Sequence, residues 1–110
     1  MLEIRVRVSR NRLQLLMADD PVYRRDSSNV ACAAAYTLSN TLLIALRTQM
    51  GIGTDVFFDN DPMRGLTRID CGPTEEDMDR ALTIYRVAAC GLEALAFRHP
   101  EAIDFEMTEN

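Results

Sequence analysis

Leu2, Ile4, Val6 and Val8 are apolar at every second position, and Glu3, Arg5, Arg7 and Ser9 fill the gaps. Side chains of a strand alternate between faces, so this is a strand with one buried face. A chain that starts this way must bring a layer to cover that face. "SRNR" (9–12) reads as a turn and "LQLLM" (13–17) as the return strand of a hairpin. The cover comes from two helical stripes. Ala31, Ala34, Ala35, Leu38, Leu42, Ala45 and Leu46 recur at helical spacing, as do Met78, Ala81, Leu82, Tyr85, Ala88, Ala89, Leu92, Leu95 and Ala96. "TDVFFD" (54–59) and "LTRIDC" (66–71) are strands joined by the turn "NDPMRG", and "AIDFEM" (102–107) is a last strand. The predicted order is β-β-α-β-β-α-β in a single domain, 1–110. It is an α+β fold with two helices packed on one face of a mainly antiparallel sheet.

The helix ends carry their own signals. Ser28 or Asn29 is available to cap the first helix, and "GIG" (51–53) stops it. Thr74 reads as the N-cap of the second, with Asp77 in the position of a capping-box partner. Between the hairpin and the first helix lies "ADDPVYRRDSS" (18–28), a polar stretch containing a proline. It is long for a connection in a compact domain, which points to a functional or mobile loop.

Composition narrows the classes. A net charge of −5 disfavours nucleic acid as a direct partner, because phosphate contact needs a basic face. All 12 basic residues are arginine, so no lysine is present to serve as a general base. The N-terminus lacks the organisation of a signal peptide, and the apolar run "TLLIAL" is cut by Arg47, well short of the roughly 20 residues of a membrane span. A cytoplasmic protein with reduced cysteines is expected. The three cysteines, Cys32, Cys71 and Cys90, have no C-x-x-C spacing, which argues against a disulfide framework or a zinc site. No metal and no cofactor is expected. "DNDPMRG" lacks the spacing of a calcium loop, and "GIGTD" lacks the ending of a phosphate loop.

Cys32 is the residue with chemical potential. A thiol in the first turn of a helix feels the positive end of the helix dipole, which favours the nucleophilic thiolate, and Arg24 and Arg25 in the flanking loop add to that field. The same residue in "ACAAA" is equally a small apolar side chain in a tightly packed helix face. Position alone leaves both readings open.

The residues around it resemble a known family. "VACAAAYTLSNTLLIAL" (30–46) is similar to the cysteine-bearing helix of the ribosomal-processing cysteine proteases, the Prp family, with Cys32, Ala33, Ala34, Leu38, Thr41 and Leu46 keeping the pattern. "GLEALAFRHPEAIDFE" resembles the family's closing helix, proline turn and last strand. The resemblance implies a cytosolic homodimer that trims the N-terminal extension of a large-subunit ribosomal protein, with a Cys-His dyad and a mobile loop between the two residues. The family's histidine lies in a Gly-His-Ala motif at the end of the second strand. Laid on this chain without gaps, that motif puts Asp19 at the glycine, Asp20 at the histidine and Pro21 at the alanine. Asn29 stands where the family has aspartate, and Tyr36 where it has serine.

An aspartate is a poor replacement. Near its ordinary pKa of about 4 it is a weak base for a thiol near 8.5, and it is already ionised when the leaving amine needs a proton. A carboxylate close to the thiol also raises the thiol's pKa. The expectation is a protein with Cys32 at the nucleophile position, Asp20 at the family histidine position and an active-site loop containing Asp19, Pro21, Arg24, Arg25, Ser28 and Asn29. Its proteolysis is impaired or absent, and its partner is a ribosomal protein tail or an assembly factor. The alternatives are an active endopeptidase that draws its base from elsewhere, and a non-enzymatic dimeric scaffold. For the first of these, His99 is the residue to test. It would serve only if the end of the second helix lies beside the start of the first. "DDP" itself reads as a proline-fixed turn.

Overall fold

The computed structural model describes residues 1–19 and 30–110. Five strands and two helices follow one another as β1 (Leu2–Val8), β2 (Leu13–Asp19), α1 (Val30–Gln49), β3 (Asp55–Asp61), β4 (Leu66–Gly72), α2 (Met78–Arg98) and β5 (Ile103–Glu109). The sheet order is β3-β4-β2-β1-β5. Every pairing is antiparallel except β1 with β5, where Leu2 stands opposite Ile103 and Val8 opposite Glu109. The expected order and class are those found.

The alternating apolar residues of β1 and β2 all turn to the helices. Leu2, Ile4, Leu13, Leu15 and Met17 are fully buried and meet Ile69 and Cys71 of β4, Ala35 and Leu46 of α1, and Tyr85 and Leu92 of α2 in one core. Tyr85 buries its ring there and donates its hydroxyl between the carbonyls of Leu13 and Ile69, at 3.2 and 2.9 Å. A buried hydroxyl without such partners would cost on the order of 1–3 kcal/mol. The opposite sheet face is polar. Arg5 bonds Asp104 at 2.7 Å, and Arg68 bonds Asp70 at 2.8 Å.

The helices run antiparallel. Arg80, near the start of α2, donates to the carbonyl of Gln49 at the end of α1 at 2.9 Å. Gly91 lets the pair close up, because a Cβ there would lie 3.0 Å from a methyl of Leu38. α1 is long and apolar enough, by length and composition only, to cross a membrane, with a mean hydropathy of 1.3 over the window. Arg47 therefore does not exclude it from that class as the apolar run alone implied. Its face of Ala31, Cys32, Ala35, Leu42, Leu43 and Leu46 is buried against the sheet and α2.

Several boundaries differ from expectation. β2 continues to Asp19, two residues past "LQLLM", because Ala18 still pairs with Leu66 and the Asp19 N–H donates to Gly65 at 2.8 Å. Asp19 is thus the last residue of a strand, not part of a turn or loop. α2 begins at Met78. Thr74 does accept the Asp77 N–H at 3.3 Å, but the Asp77 carboxylate does not reach back to complete a capping box. It accepts the N–H of Gly51 at 2.9 Å and the hydroxyl of Thr54, and so ties the end of α1 and the start of β3 to α2. A hairpin turn does fall within "NDPMRG", but only at 62–65: Asn60 and Asp61 still pair in β3, and Asp61 accepts the N–H groups of Met63 and Arg64 at 3.1 and 3.3 Å.

Candidate functional site around Cys32

Cys32 is the third residue of α1 and is 8% exposed, within the core face of the helix. Its thiol pKa is raised, first by burial and then by the negative charge of Asp19, with the amino terminus pulling the other way. Strand geometry explains Asp19. Leu13, Leu15, Met17 and Asp19 share the face of β2 that looks towards the helices, so a carboxylate ends a row of apolar side chains on the cysteine's side of the sheet. Gly65 fixes this end. Its φ of +66° is open to glycine, and any Cβ there would run into the Asp19 carbonyl. Asp19 is only 9% exposed.

Of the residues singled out from sequence, Cys32 and Asp19 are brought together electrostatically. Asp20, Pro21, Arg24, Arg25, Ser28 and Asn29 lie outside the described residues. His99 ends α2, where its backbone N–H caps Leu95 at 2.9 Å and its ring Nδ1 stands 3.8 Å from the Glu101 carboxylate. The antiparallel helices do carry it towards the start of α1. Among the described residues, the charges acting on the thiol are Asp19 and the amino terminus; His99 is not one of them.

Tyr36 and Ser39 follow Cys32 at i+4 and i+7, on the same side of α1. They form one wall of an open groove of about 300 Å³, whose other wall is Phe58 and Asn60 of β3 with Thr67 and Ile69 of β4. The groove begins one helical turn beyond the cysteine. The sequence marked Tyr36 only as a departure from the family pattern, and the β3 and β4 members not at all. Phe58 and Thr67 were read only as members of strands, and which strands neighbour α1 is a long-range fact.

The other cysteines are dissimilar. Cys71 is fully buried and its thiol is pushed up to about 11, by burial first and then by Asp77. Cys90 is exposed on α2.

No family model matches the chain, and no curated protein matches it. Solved structures do. The fold is similar to that of the essential ribosomal processing protease Prp from Staphylococcus aureus in complex with a substrate peptide, with a TM-score of 0.78 and 14% identity over 98% of this chain and 100% of that one. The same protease with a covalently linked product peptide gives a TM-score of 0.76 at 14% identity, again over 98% of this chain and 100% of that one. A protein of Streptococcus mutans gives 0.78 at 17% identity, over 100% of this chain and 96% of that one. At these identities the likeness is one of fold.

Proposed function

We propose that this chain is a Prp-like peptide-binding protein in which Cys32 keeps the nucleophile's position while proteolysis is impaired or absent. The observation that carries this reading is the state of Cys32. It sits in the first turn of α1, where a thiolate would be favoured, yet burial and the charge of Asp19 both raise its pKa. The neighbouring fold that binds a substrate peptide supports peptide recognition, and the groove beside Cys32 supplies a surface for it. In this reading Asp20 occupies the place of the family histidine. The partner is the tail of a ribosomal protein or an assembly factor, and the protein acts in the cytoplasm as a homodimer.

Losing a general acid–base partner typically costs about 10²–10⁴ in rate. The test is incubation of the full chain with a large-subunit ribosomal protein carrying its N-terminal extension, with binding and cleavage measured separately. The expected result is binding by wild type and by Cys32→Ala, with cleavage absent or slow in wild type and raised in Asp20→His. Fast, Cys32-dependent cleavage by wild type would replace this reading with that of an active endopeptidase. Failure of both proteins to bind the extension would remove the ribosomal tail as the partner, leaving an assembly factor or the scaffold reading.

A further inference from the structure

β3 is an edge strand. All seven of its residues pair with β4 on one side, and no described strand pairs with it on the other. Its free edge therefore presents a row of backbone donors and acceptors, the usual template for an added strand. The strand is also unusual in what it exposes. Phe57 and Phe58 are 51% and 41% exposed, one on each face of the sheet. Each ring is held under a guanidinium, Arg68 over Phe57 and Arg47 over Phe58, both at 5.8 Å.

The two faces of β3 differ in a way that selects an occupant. Asp55, Phe57, Asp59 and Asp61 stand opposite Gly72, Asp70, Arg68 and Leu66 and share the face away from the helices. Val56, Phe58 and Asn60 share the other face, and Phe58 and Asn60 line the groove with Tyr36 and Ile69. A second copy fits poorly. Antiparallel pairing of β3 with itself, in the three best-overlapped registers that keep the faces aligned, sets Asp55 against Asp61, Asp55 against Asp59, or Asp59 against Asp59. Like charges directly opposite are destabilising.

We propose that β3 is a docking edge for an extended peptide in which basic and apolar residues alternate. The peptide adds as a sixth strand beside β3. Its basic side chains lie on the outer face against Asp55 and Asp59, and an apolar one enters the groove beside Phe58. This deepens the peptide-binding reading by naming where the peptide lies and what pattern it carries.

The probe is a short fluorescein-labelled peptide of alternating lysine and valine, titrated into the full chain by anisotropy, with amide chemical shifts recorded in parallel. The expected shifts centre on β3, the glutamate–valine peptide does not bind, and Asp55→Asn with Asp59→Asn weakens binding and flattens its salt dependence. N-methylating alternate amides on the pairing edge removes its backbone hydrogen bonds and should cost about tenfold or more in affinity. Equal binding of the N-methylated peptide, or of the glutamate peptide, overturns the proposal. So do shifts confined to other elements, and so does a dimer that Phe58→Asp dissociates. If the ribosomal extension still binds while this peptide does not, only the β3 site is lost; if neither binds, the peptide reading falls with it.

Discussion

Each end of α1 has a cysteine and a buried aspartate near it, and the two arrangements do different work. At the far end, Asp77 is 6% exposed and receives the Gly51 N–H, the Thr54 hydroxyl and a distant Arg80, 3.9 Å away. Those bonds hold its carboxyl below the usual carboxylate range, the Thr54 hydroxyl first and the Gly51 amide next. Its neighbour Cys71 is a fully enclosed thiol. At the near end, Asp19 closes β2, and Cys32 beside it belongs to a helix face that continues into an open groove. Chemically similar pairs thus become a latch in one place and a candidate site in the other. The difference lies in what surrounds the carboxylate, not in the residue types.

The thiols give the largest contrast to measure. At pH 7, a thiol pushed to about 11 is roughly 10² times less ionised than an ordinary one near 8.5, before its burial is counted. Iodoacetamide followed by mass mapping should therefore label Cys90 rapidly, Cys32 more slowly and Cys71 only through unfolding. Labelling of Cys32 faster than Cys90 at pH 6 would reverse the assignment and make Cys32 an activated nucleophile.

Next in size is the latch. Because the folded Asp77 has a lowered pKa, its contribution is complete above about pH 5, where the unfolded group near 3.9 is ionised. It is lost as pH falls through the folded value. Asp77→Asn should lower the thermal midpoint at pH 7 and make the acid limb of stability against pH shallower. An unchanged limb would remove Asp77 from its role.

The smallest expected effect is also the most direct on the site. Asp19→Asn removes the nearby charge but not the burial that dominates, so Cys32 alkylation should rise only several-fold and its apparent pKa should fall. No change would mean that burial alone sets the thiol. The same substitution should leave Cys71 untouched, which separates the two ends within one sample.

Much of the fold was legible locally. Alternation in β1 is a short-range pattern that burial reproduces position by position, whereas the stripes of α1 and α2 are reproduced in part: Ala34, Leu38 and Ala45 are only half-buried while Ser39 and Leu43 are buried, and Met78, Leu82, Leu95 and Ala96 stay half-buried. Ends were harder. "DDP" has turn composition, yet Asp19 stays in β2 because Gly65 of the adjacent hairpin accepts its N–H. Asp77 sits where a capping-box acid belongs, yet Gly51 and Thr54, distant in sequence, claim its oxygens. Of the site, Cys32 and its helix position were readable, whereas the groove was not, since Tyr36 and Phe58 meet only once β4 lies between β2 and β3.

What the sequence determined by itself was the order of elements, the buried faces and a cysteine at the start of a helix, all governed by periodicity within a few residues. The tertiary structure alone decided that Asp19 would press its charge on that cysteine, that Asp77 would bind α1 to α2, and that β3 would lie at the edge of the sheet, with β4 as its only partner among the described strands. Each depends on which strands and helices become neighbours. That is set by packing the whole core, where contacts between residues far apart in the chain outweigh local preference.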